Sequence, residues 1–221
     1  RVMTMDRQHG IGKDVPHRWV EIRAFRENGD SRQLWFGRLE TKEACRDLQI
    51  RMKVKDQCVW QDARFEKAEV FKECAEYGWF AVFGSSQGSW QHTITKPGAA
   101  PLKVYYPYSQ RQVSEVGSRG AAQYLYFSEE YMSDILHNLL SARGVKFEMP
   151  DDVSEEYLAH LKAEHKIEKR PGVFKWEPIA SRAHHGRDCS KYAVCFAVLM
   201  KLIAAKMPEK EETPEPIAKA S

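Results

Sequence analysis

The chain has 221 residues, of which 43% are hydrophobic and 29% are charged. This length suits one generous domain or one domain with extensions, and the apolar content is sufficient for a single core. The formal net charge is only +3, with 34 Lys and Arg against 31 Asp and Glu. The chain is therefore no global polycation, and any contact with nucleic acid has to come from local basic patches.

The cysteines and the hydrophobic runs exclude a disulfide scaffold and a membrane span. The five cysteines form no C-x-x-C pair and are odd in number, so we predict reduced thiols in a cytosolic protein. The longest apolar run, 192–200, ends at Lys201 and is shorter than the ~18 residues expected of a membrane helix. The chain begins at Arg1, directly before a predicted strand, and we expect it to be a fragment of a longer polypeptide.

The first 40 residues have the pattern of a short strand followed by a hairpin. Residues 2–6 are typical of a buried strand, and residues 19–25 alternate between apolar and polar. Residues 34–39 return as a partner strand. The dipeptide Asn28-Gly29 between these two strands predicts a type I′ hairpin turn.

Capping residues and periodicity predict the later elements. Thr41 and Ser128 precede apolar stripes at helical spacing, and Ser154 lies between Val153 and Leu158, which have the spacing of a hydrophobic staple. The other predicted elements, in chain order, are a strand at 57–61, a helix at 63–77, a strand at 79–83, an insertion of unassigned structure at about 90–120, a strand at 124–127, a late hairpin at about 166–182 and a final helix at about 188–207.

This order of elements predicts an α/β fold with a mixed sheet flanked by helices on both faces, because an antiparallel hairpin is followed by alternating strands and helices. We expect one domain over residues 1–207. The tail at 208–221 lacks apolar periodicity and is expected to be disordered.

Three aspartates stand at positions where a metal-dependent enzyme could use them. Asp6 and Asp62 each end a predicted strand, and Asp188 lies at the start of the final helix. If the fold gathers them, their repulsion raises at least one pKa unless a divalent cation neutralises them. Two-metal phosphoryl chemistry needs such carboxylates on rigid elements around ions ~3.5–4 Å apart. Aspartate is also a common turn and N-cap residue, which is the alternative explanation for each position taken singly.

Several segments resemble one known family. They are MDRQ at Asp6, the hairpin WVEIRAFRENGDSRQLWFGRLE, VWQDARFEKAEVFKEC at Asp62, the late EEYLAHLKAEHKI and HHGRDCSKYAVCFAVL at Asp188. In these segments the chain resembles the nuclease domain of the large terminase subunit of tailed phages, of the lambda-type family. The resemblance implies a ribonuclease H-like fold, in which a strand, a second strand and the last helix supply the metal ligands.

The function that the resemblance implies is a metal-dependent endonuclease. Such a domain cuts concatemeric double-stranded DNA at the beginning and end of viral genome packaging, with Asp6, Asp62 and Asp188 holding two Mg²⁺ or Mn²⁺ ions. The implied partners are double-stranded DNA, the terminase ATPase domain, the small terminase subunit and the portal. The implied location is the host cytoplasm.

The sequence departs from the family pattern at three places. Arg7 replaces a small apolar residue after the first aspartate, but strand alternation is expected to point it away from the site. Gly84-Ser85 stands where the family has Lys-Gly, so the basic residue that the family places near DNA is absent. His184 and His185 replace an Asn-Glu pair.

We expect DNA phosphates to contact basic side chains around the acidic rim, where such contacts fix register without reading sequence. His184 and His185 are expected to lie in a loop, where one of them binds phosphate or orients water. Zinc is disfavoured because the sequence offers no second pair of ligands. Any single basic residue is more often plain surface charge than a DNA contact. The candidate DNA-binding residues are Lys13, Arg64, Lys96, Lys103, Arg182, His184, His185 and Arg187.

Two other functions remain open from the sequence. One is a Holliday-junction resolvase or integrase-like nuclease on the same scaffold. The other is a non-catalytic module that docks DNA or the portal and whose acids no longer bind metal.

Overall fold

The structure is a computed structural model, and it describes residues 1–9, 15–98 and 100–204. These residues form twelve strands and five α-helices. In chain order they are β1 (Val2–Gln8), β2 (His17–Phe25), β3 (Ser31–Leu39), α1 (Lys42–Arg51), β4 (Val59–Asp62), α2 (Lys67–Tyr77), β5 (Phe80–Ser85), β6 (Trp90–Ile94), β7 (Leu102–Tyr106), β8 (Gln112–Glu115), β9 (Ala121–Ser128), α3 (Glu129–Leu140), β10 (Phe147–Glu148), α4 (Glu155–Leu161), β11 (Glu164–Arg170), β12 (Val173–Pro178) and α5 (His185–Leu199).

Eight of the described strands form one mixed sheet in the order β10-β3-β2-β1-β4-β5-β9-β8. The strands β1, β4, β5 and β9 run parallel to one another, and the β2–β3 hairpin pairs antiparallel with β1. The predicted mixed α/β sheet is therefore confirmed, and β1 lies inside it with a partner on each side.

Helices cover both faces of the sheet. Because successive side chains of a strand point to opposite faces, Val2 and Trp60 pack with α3 and α5 in one core. Met3 and Ala81 pack with α1 and α2 in the other core. Each face of the sheet thus has its own apolar layer, which fixes the orientation of every side chain along β1 and β4.

The three predicted helix caps are confirmed. The side-chain oxygens of Thr41, Ser128 and Ser154 each accept a hydrogen bond from the backbone N–H three residues on. Each satisfies one of the N–H groups that the first turn of a helix leaves unpaired.

The predicted type I′ turn is wrong. The loop between β2 and β3 covers residues 26–30, where Arg26 N–H donates to the Asp30 carbonyl at 2.8 Å. Of the two central residues, Gly29 has a positive φ of 88° but Asn28 does not, whereas a type I′ turn requires both. The Asp30 carboxylate accepts from Lys146 N–H at 2.8 Å, so a contact with the distant β10 region helps to hold the longer loop.

Two helix boundaries also differ from the prediction. The helix predicted at 63–77 begins at Lys67, because Ala63 N–H bonds the Val82 carbonyl and Glu66 adopts a left-handed conformation with φ 52°. The final helix begins at His185 rather than at 188 and ends at Leu199. The predicted tail at 208–221 lies outside the described residues.

The segment predicted as an insertion has a definite structure. The strands β6 and β7 pair as a separate antiparallel hairpin, and β8 joins the edge of the main sheet beside β9. The late hairpin consists of β11 and β12 and is shifted toward the N-terminus relative to 166–182. All five cysteines are free thiols. No helix in the described part of the chain is long and apolar enough to cross a membrane.

Candidate metal centre

The three aspartates converge at one end of the sheet. Asp6 lies within β1, and Asp62 is the last residue of the neighbouring parallel strand β4. Met5 pairs with Gln61, so Asp6 and Asp62 occupy the next position along two strands that are ~4.8 Å apart. Asp188 is in the first turn of α5, which packs on the same face of the sheet. The three residues are only 4%, 5% and 8% exposed, respectively.

The tightest cluster of possible metal ligands includes a histidine. One ligand atom each from Asp6, His185 and Asp188 lies within 4.8 Å of the others. The His185 Nδ1 atom is 2.8 Å from Asp6 Oδ2. Asp62 lines the same cleft but is outside this three-residue cluster. The described residues thus contain a buried Asp-His-Asp group able to hold a metal ion.

Neighbouring side chains fix the orientation of each carboxylate. Gln8 Nε2 donates to Asp6 Oδ2 at 2.8 Å, and the Arg64 backbone N–H donates to Asp62 Oδ1 at 3.2 Å. The buried Lys191 ammonium is 2.6 Å from Asp188 Oδ1. Such outer partners hold metal-binding side chains in place.

A second carboxylate, Glu164, anchors the Lys191 ammonium. The Lys191 Nζ atom donates to Glu164 Oε1 at 3.0 Å, and Arg187 Nε donates to Glu164 Oε2 at 2.7 Å. Glu164 is the first residue of β11, so these bonds join the late hairpin to α5. The hairpin is thereby tied to the helix that carries Asp188.

The carboxylates differ in their electrostatic environments. Burial, and after it the charge of Asp188, raises the pKa of Asp6 well above its usual value. Burial, and after it the charge of Asp6, raises the pKa of Asp62 to about 7. Burial alone would raise the pKa of Asp188, but Lys191 and His184 outweigh it and lower that pKa below its usual value. Burial lowers the pKa of His185, which favours the neutral imidazole that a metal requires.

The acids form the floor of a cleft of about 760 Å³. One wall comes from the loop after β4, which contributes Arg64 and the exposed Phe65. The hairpin strand β12 also lines the cleft, with the exposed Phe174 and its neighbour Lys175. The cleft therefore combines an anionic floor with aromatic and cationic walls.

The predicted DNA-binding residues are scattered around the molecule. Arg64 lines the cleft and pairs with Glu129. Lys96 and Lys103 are exposed in the β6–β7 hairpin and do not line the cleft. Arg182 is exposed and lines a separate pocket beside α4. Lys13 lies outside the described residues.

Arg187 does not have the exposed position that was expected of a DNA contact. It is 2% exposed, and its guanidinium donates to Glu164 and to the Leu161 carbonyl at 2.9 Å. It also lies over the Trp176 ring, 4.7 Å from the centroid. These contacts join α5 to α4 and to the late hairpin, so Arg187 acts as a structural cation in this structure.

The two histidines are also placed differently from the prediction. His184 is the N-cap residue of α5, and His185 opens that helix instead of lying in a loop. The His184 Nε2 atom is 3.5 Å from Asp188 Oδ2. His185 and Asp188 are three residues apart on a helix and therefore share a face. That spacing was the signal in the sequence for a His-Asp ligand pair.

Comparisons with known proteins identify no relative: the chain matches no protein-family model, no curated protein and no solved structure. The structure by itself shows an α/β fold with a mixed eight-stranded sheet flanked by helices. What the centre does is inferred from its own geometry and chemistry.

Proposed function

We propose that the chain is a metal-dependent endonuclease domain that hydrolyses phosphodiester bonds of double-stranded DNA. The observation that carries the proposal is the convergence of Asp6, Asp62 and Asp188, with His185, at the floor of one cleft. Neighbouring carboxylates with perturbed pKa values in a cleft are candidates for a functional site.

The order of the site elements supports a ribonuclease H-like fold for this domain. The first strand, a neighbouring parallel strand and the last described helix carry Asp6, Asp62 and Asp188, respectively. This is the order in which that fold supplies its ligands. Together with the segments that resemble lambda-type large terminase subunits, it makes a viral DNA-packaging nuclease the most specific form of the proposal.

The residues present fit a divalent cation. The Asp6 carboxyl is buried and its pKa is raised, so a cation would relieve the repulsion from Asp188. Carboxylate oxygens suit both Mg²⁺ and Mn²⁺, whereas an imidazole nitrogen is a ligand of softer transition-metal ions. The Asp6-His185-Asp188 set therefore favours Mn²⁺ as one ion. A second ion would bind between Asp6 and Asp62.

The mechanism assigns distinct tasks to the residues of the cleft. The ions would supply the positive charge that offsets the charge developing on the phosphate during in-line attack by water. Lys191 keeps the Asp188 carboxylate in one orientation, and Gln8 does the same for Asp6. Arg64, partly exposed at the rim, is placed to meet a phosphate of the bound strand.

The biological setting follows from the same resemblance. We propose that the domain works with a terminase ATPase domain, a small terminase subunit and a portal in the host cytoplasm. In that setting the motor delivers concatemeric DNA to the cleft. The nuclease then needs few sequence-reading contacts of its own, because phosphate contacts set the register.

A plasmid assay tests the proposal. The chain is incubated with supercoiled plasmid and Mn²⁺ or Mg²⁺, with and without EDTA, and nicked and linear products are counted. Asp6→Asn and Asp188→Asn are expected to abolish metal-dependent cleavage, because each removes a charged ligand. Asp47→Asn, a matched change on the exposed face of α1, is expected to cut like the unmodified chain.

The same assay separates the rival functions. A marked preference for branched over linear duplex would indicate a Holliday-junction resolvase or integrase-like nuclease. Binding of DNA without metal-dependent cleavage by the unmodified chain would refute the proposal in favour of a DNA- or portal-docking module.

A further inference from the structure

We infer that Glu73 is a positioning residue that aligns the strand ends carrying Asp6 and Asp62, an inference that rests on the metal centre proposed above. Glu73 lies on α2, on the face of the sheet opposite the aspartates. It is a buried carboxylate in a largely apolar layer. Such a group is retained only where its contacts compensate for the loss of water.

Glu73 accepts hydrogen bonds from three strands that are neighbours in the sheet. Its Oε1 atom accepts from Arg18 Nη2 on β2 at 2.6 Å and from Arg7 Nη1 on β1 at 3.1 Å. Its Oε2 atom accepts from Gln61 Nε2 on β4 at 3.1 Å. One carboxylate thus ties β2, β1 and β4 together at the end of the sheet where the metal centre lies.

Two of these donors are adjacent in the chain to the metal-centre aspartates. Arg7 follows Asp6, and Gln61 precedes Asp62. Because successive side chains of a strand point to opposite faces, each aspartate faces α5 while its neighbour is held by α2. Movement of Arg7 relative to Gln61 therefore moves Asp6 relative to Asp62.

Glu73 also neutralises a repulsive pair. Arg7 and Arg18 stand directly opposite each other in the antiparallel pairing of β1 with β2. Like charges at such positions push strands apart, and the carboxylate of Glu73 accepts from both guanidinium groups. Glu66 also pairs with Arg7, at 2.6 Å. Loss of Glu73 therefore leaves Arg7 that partner but removes the carboxylate that Arg7 shares with Arg18, at the residue next to Asp6. The consequence is a splayed β1 end and a poorer ligand geometry on the other face.

The test compares Mn²⁺ affinity among folded variants of the 221-residue chain, measured by the electron paramagnetic resonance signal of free Mn²⁺. Glu73→Leu removes the carboxylate, and Glu73→Gln keeps its shape but not its charge. Val70→Ala is the matched control, because Val70 is buried one turn earlier on α2 and contacts the same core. Arg18→Leu in the Glu73→Leu background removes the facing charge.

Glu73→Leu is expected to weaken Mn²⁺ binding about tenfold or more, as loss of an outer partner typically does. The Mn²⁺ affinity of Glu73→Gln should lie between those of Glu73→Leu and the unmodified chain. Val70→Ala should bind Mn²⁺ within about twofold of the unmodified chain. Adding Arg18→Leu to Glu73→Leu should recover part of the lost affinity. The inference is overturned if Glu73→Leu binds within about twofold of the unmodified chain, or if Val70→Ala loses as much affinity as Glu73→Leu.

The role of Glu73 can still be decided if Glu73→Leu fails to fold or if the unmodified chain does not cut plasmid. If Glu73→Leu does not fold, the isosteric Glu73→Gln decides by the same criterion. If the unmodified chain binds Mn²⁺ but leaves plasmid intact, the proposed nuclease activity is refuted, whereas the role of Glu73 is still judged by the Mn²⁺ affinities.

Discussion

Neutralising Asp62 should stabilise the metal-free protein at alkaline pH. Asp62 is buried beside Asp6, and its pKa rises from 3.8 to about 7. At 1.36 kcal/mol per pKa unit, ionising this carboxyl in the fold costs about 4 kcal/mol. Because the folded pKa is raised above the unfolded one, the stability it contributes is present below about pH 4 and is lost as the pH rises through about 7. Asp62→Asn has no ionisable group at this position, so its stability should not fall in this way as the pH rises.

The expected gain for Asp62→Asn at pH 8 in EDTA is about 2–4 kcal/mol. The full cost of ionisation is its upper limit, and the attraction of Arg64 is already included in the pKa of about 7. For a domain of this size, the gain corresponds to a rise in Tm of roughly 5–15 °C. The assay is thermal unfolding followed by circular dichroism at pH 4.5 and pH 8. At pH 4.5, where only the first part of the loss has occurred, the difference in stability should shrink to about 1 kcal/mol.

Saturating metal should remove or reverse the difference in stability between Asp62→Asn and the unmodified chain. A ligand that binds the folded state at 100 times its Kd adds about 2.7 kcal/mol to stability, and Asp62→Asn lacks one of the carboxylates that would hold the second ion. The gap at pH 8 should therefore close or invert in saturating Mn²⁺. Equal Tm values at pH 8 in EDTA, or a gap of the same size at both pH values, would refute the reasoning. Asp47→Asn, an exposed position on α1, should show neither effect.

Three further outcomes follow from other contacts. Ser128→Ala removes the cap of α3 and should lower stability by about 1 kcal/mol in denaturant titrations, without affecting Mn²⁺ binding. Arg187→Met leaves the buried Glu164 with one partner fewer and should destabilise the fold by roughly 3 kcal/mol. The salt dependence of DNA binding should stay unchanged, because Arg187 is almost completely buried. His185→Gln should weaken Mn²⁺ more than Mg²⁺ in direct binding measurements, because only the softer ion gains from an imidazole ligand.

Local chemistry made the sheet and the three capped helix starts predictable from sequence. Thr41, Ser128 and Ser154 act within three residues of their own positions, so the caps needed no knowledge of the fold. The alternation of β1 correctly predicted that Arg7 would point away from Asp6. Asp6 and Asp62 were both predicted to end their strands; β4 does end at Asp62, whereas β1 continues to Gln8, and the two aspartates converge because their strands are parallel neighbours.

Contacts between segments that are distant in the chain could not be predicted from the sequence. Arg187 was expected at the surface because its partner Glu164 lies 23 residues earlier and on a different element. The β2–β3 loop was misassigned because Lys146 helps to hold it. His185 was not paired with Asp188 as a possible metal ligand, because the helix was predicted to start at 188 and the i,i+3 relation of the two residues was therefore not recognised.

The cluster of Asp6, Asp62 and Asp188 destabilises a fold that is otherwise consistent with its sequence, and this is a physical argument that the cluster binds a ligand. A buried carboxyl with a pKa of about 7 opposes folding at neutral pH, and burying a second beside it adds repulsion. Apolar residues at Asp6 and Asp62 would extend the α5-side core that Val2 and Trp60 begin. Elsewhere the helix caps, the strand pairing and the two cores agree with the fold. Buried acids that destabilise such a fold are expected where the binding of a ligand compensates for their cost. A divalent cation at Asp6, His185 and Asp188 offsets this destabilisation, so metal affinity and metal-dependent stability should rise together with pH.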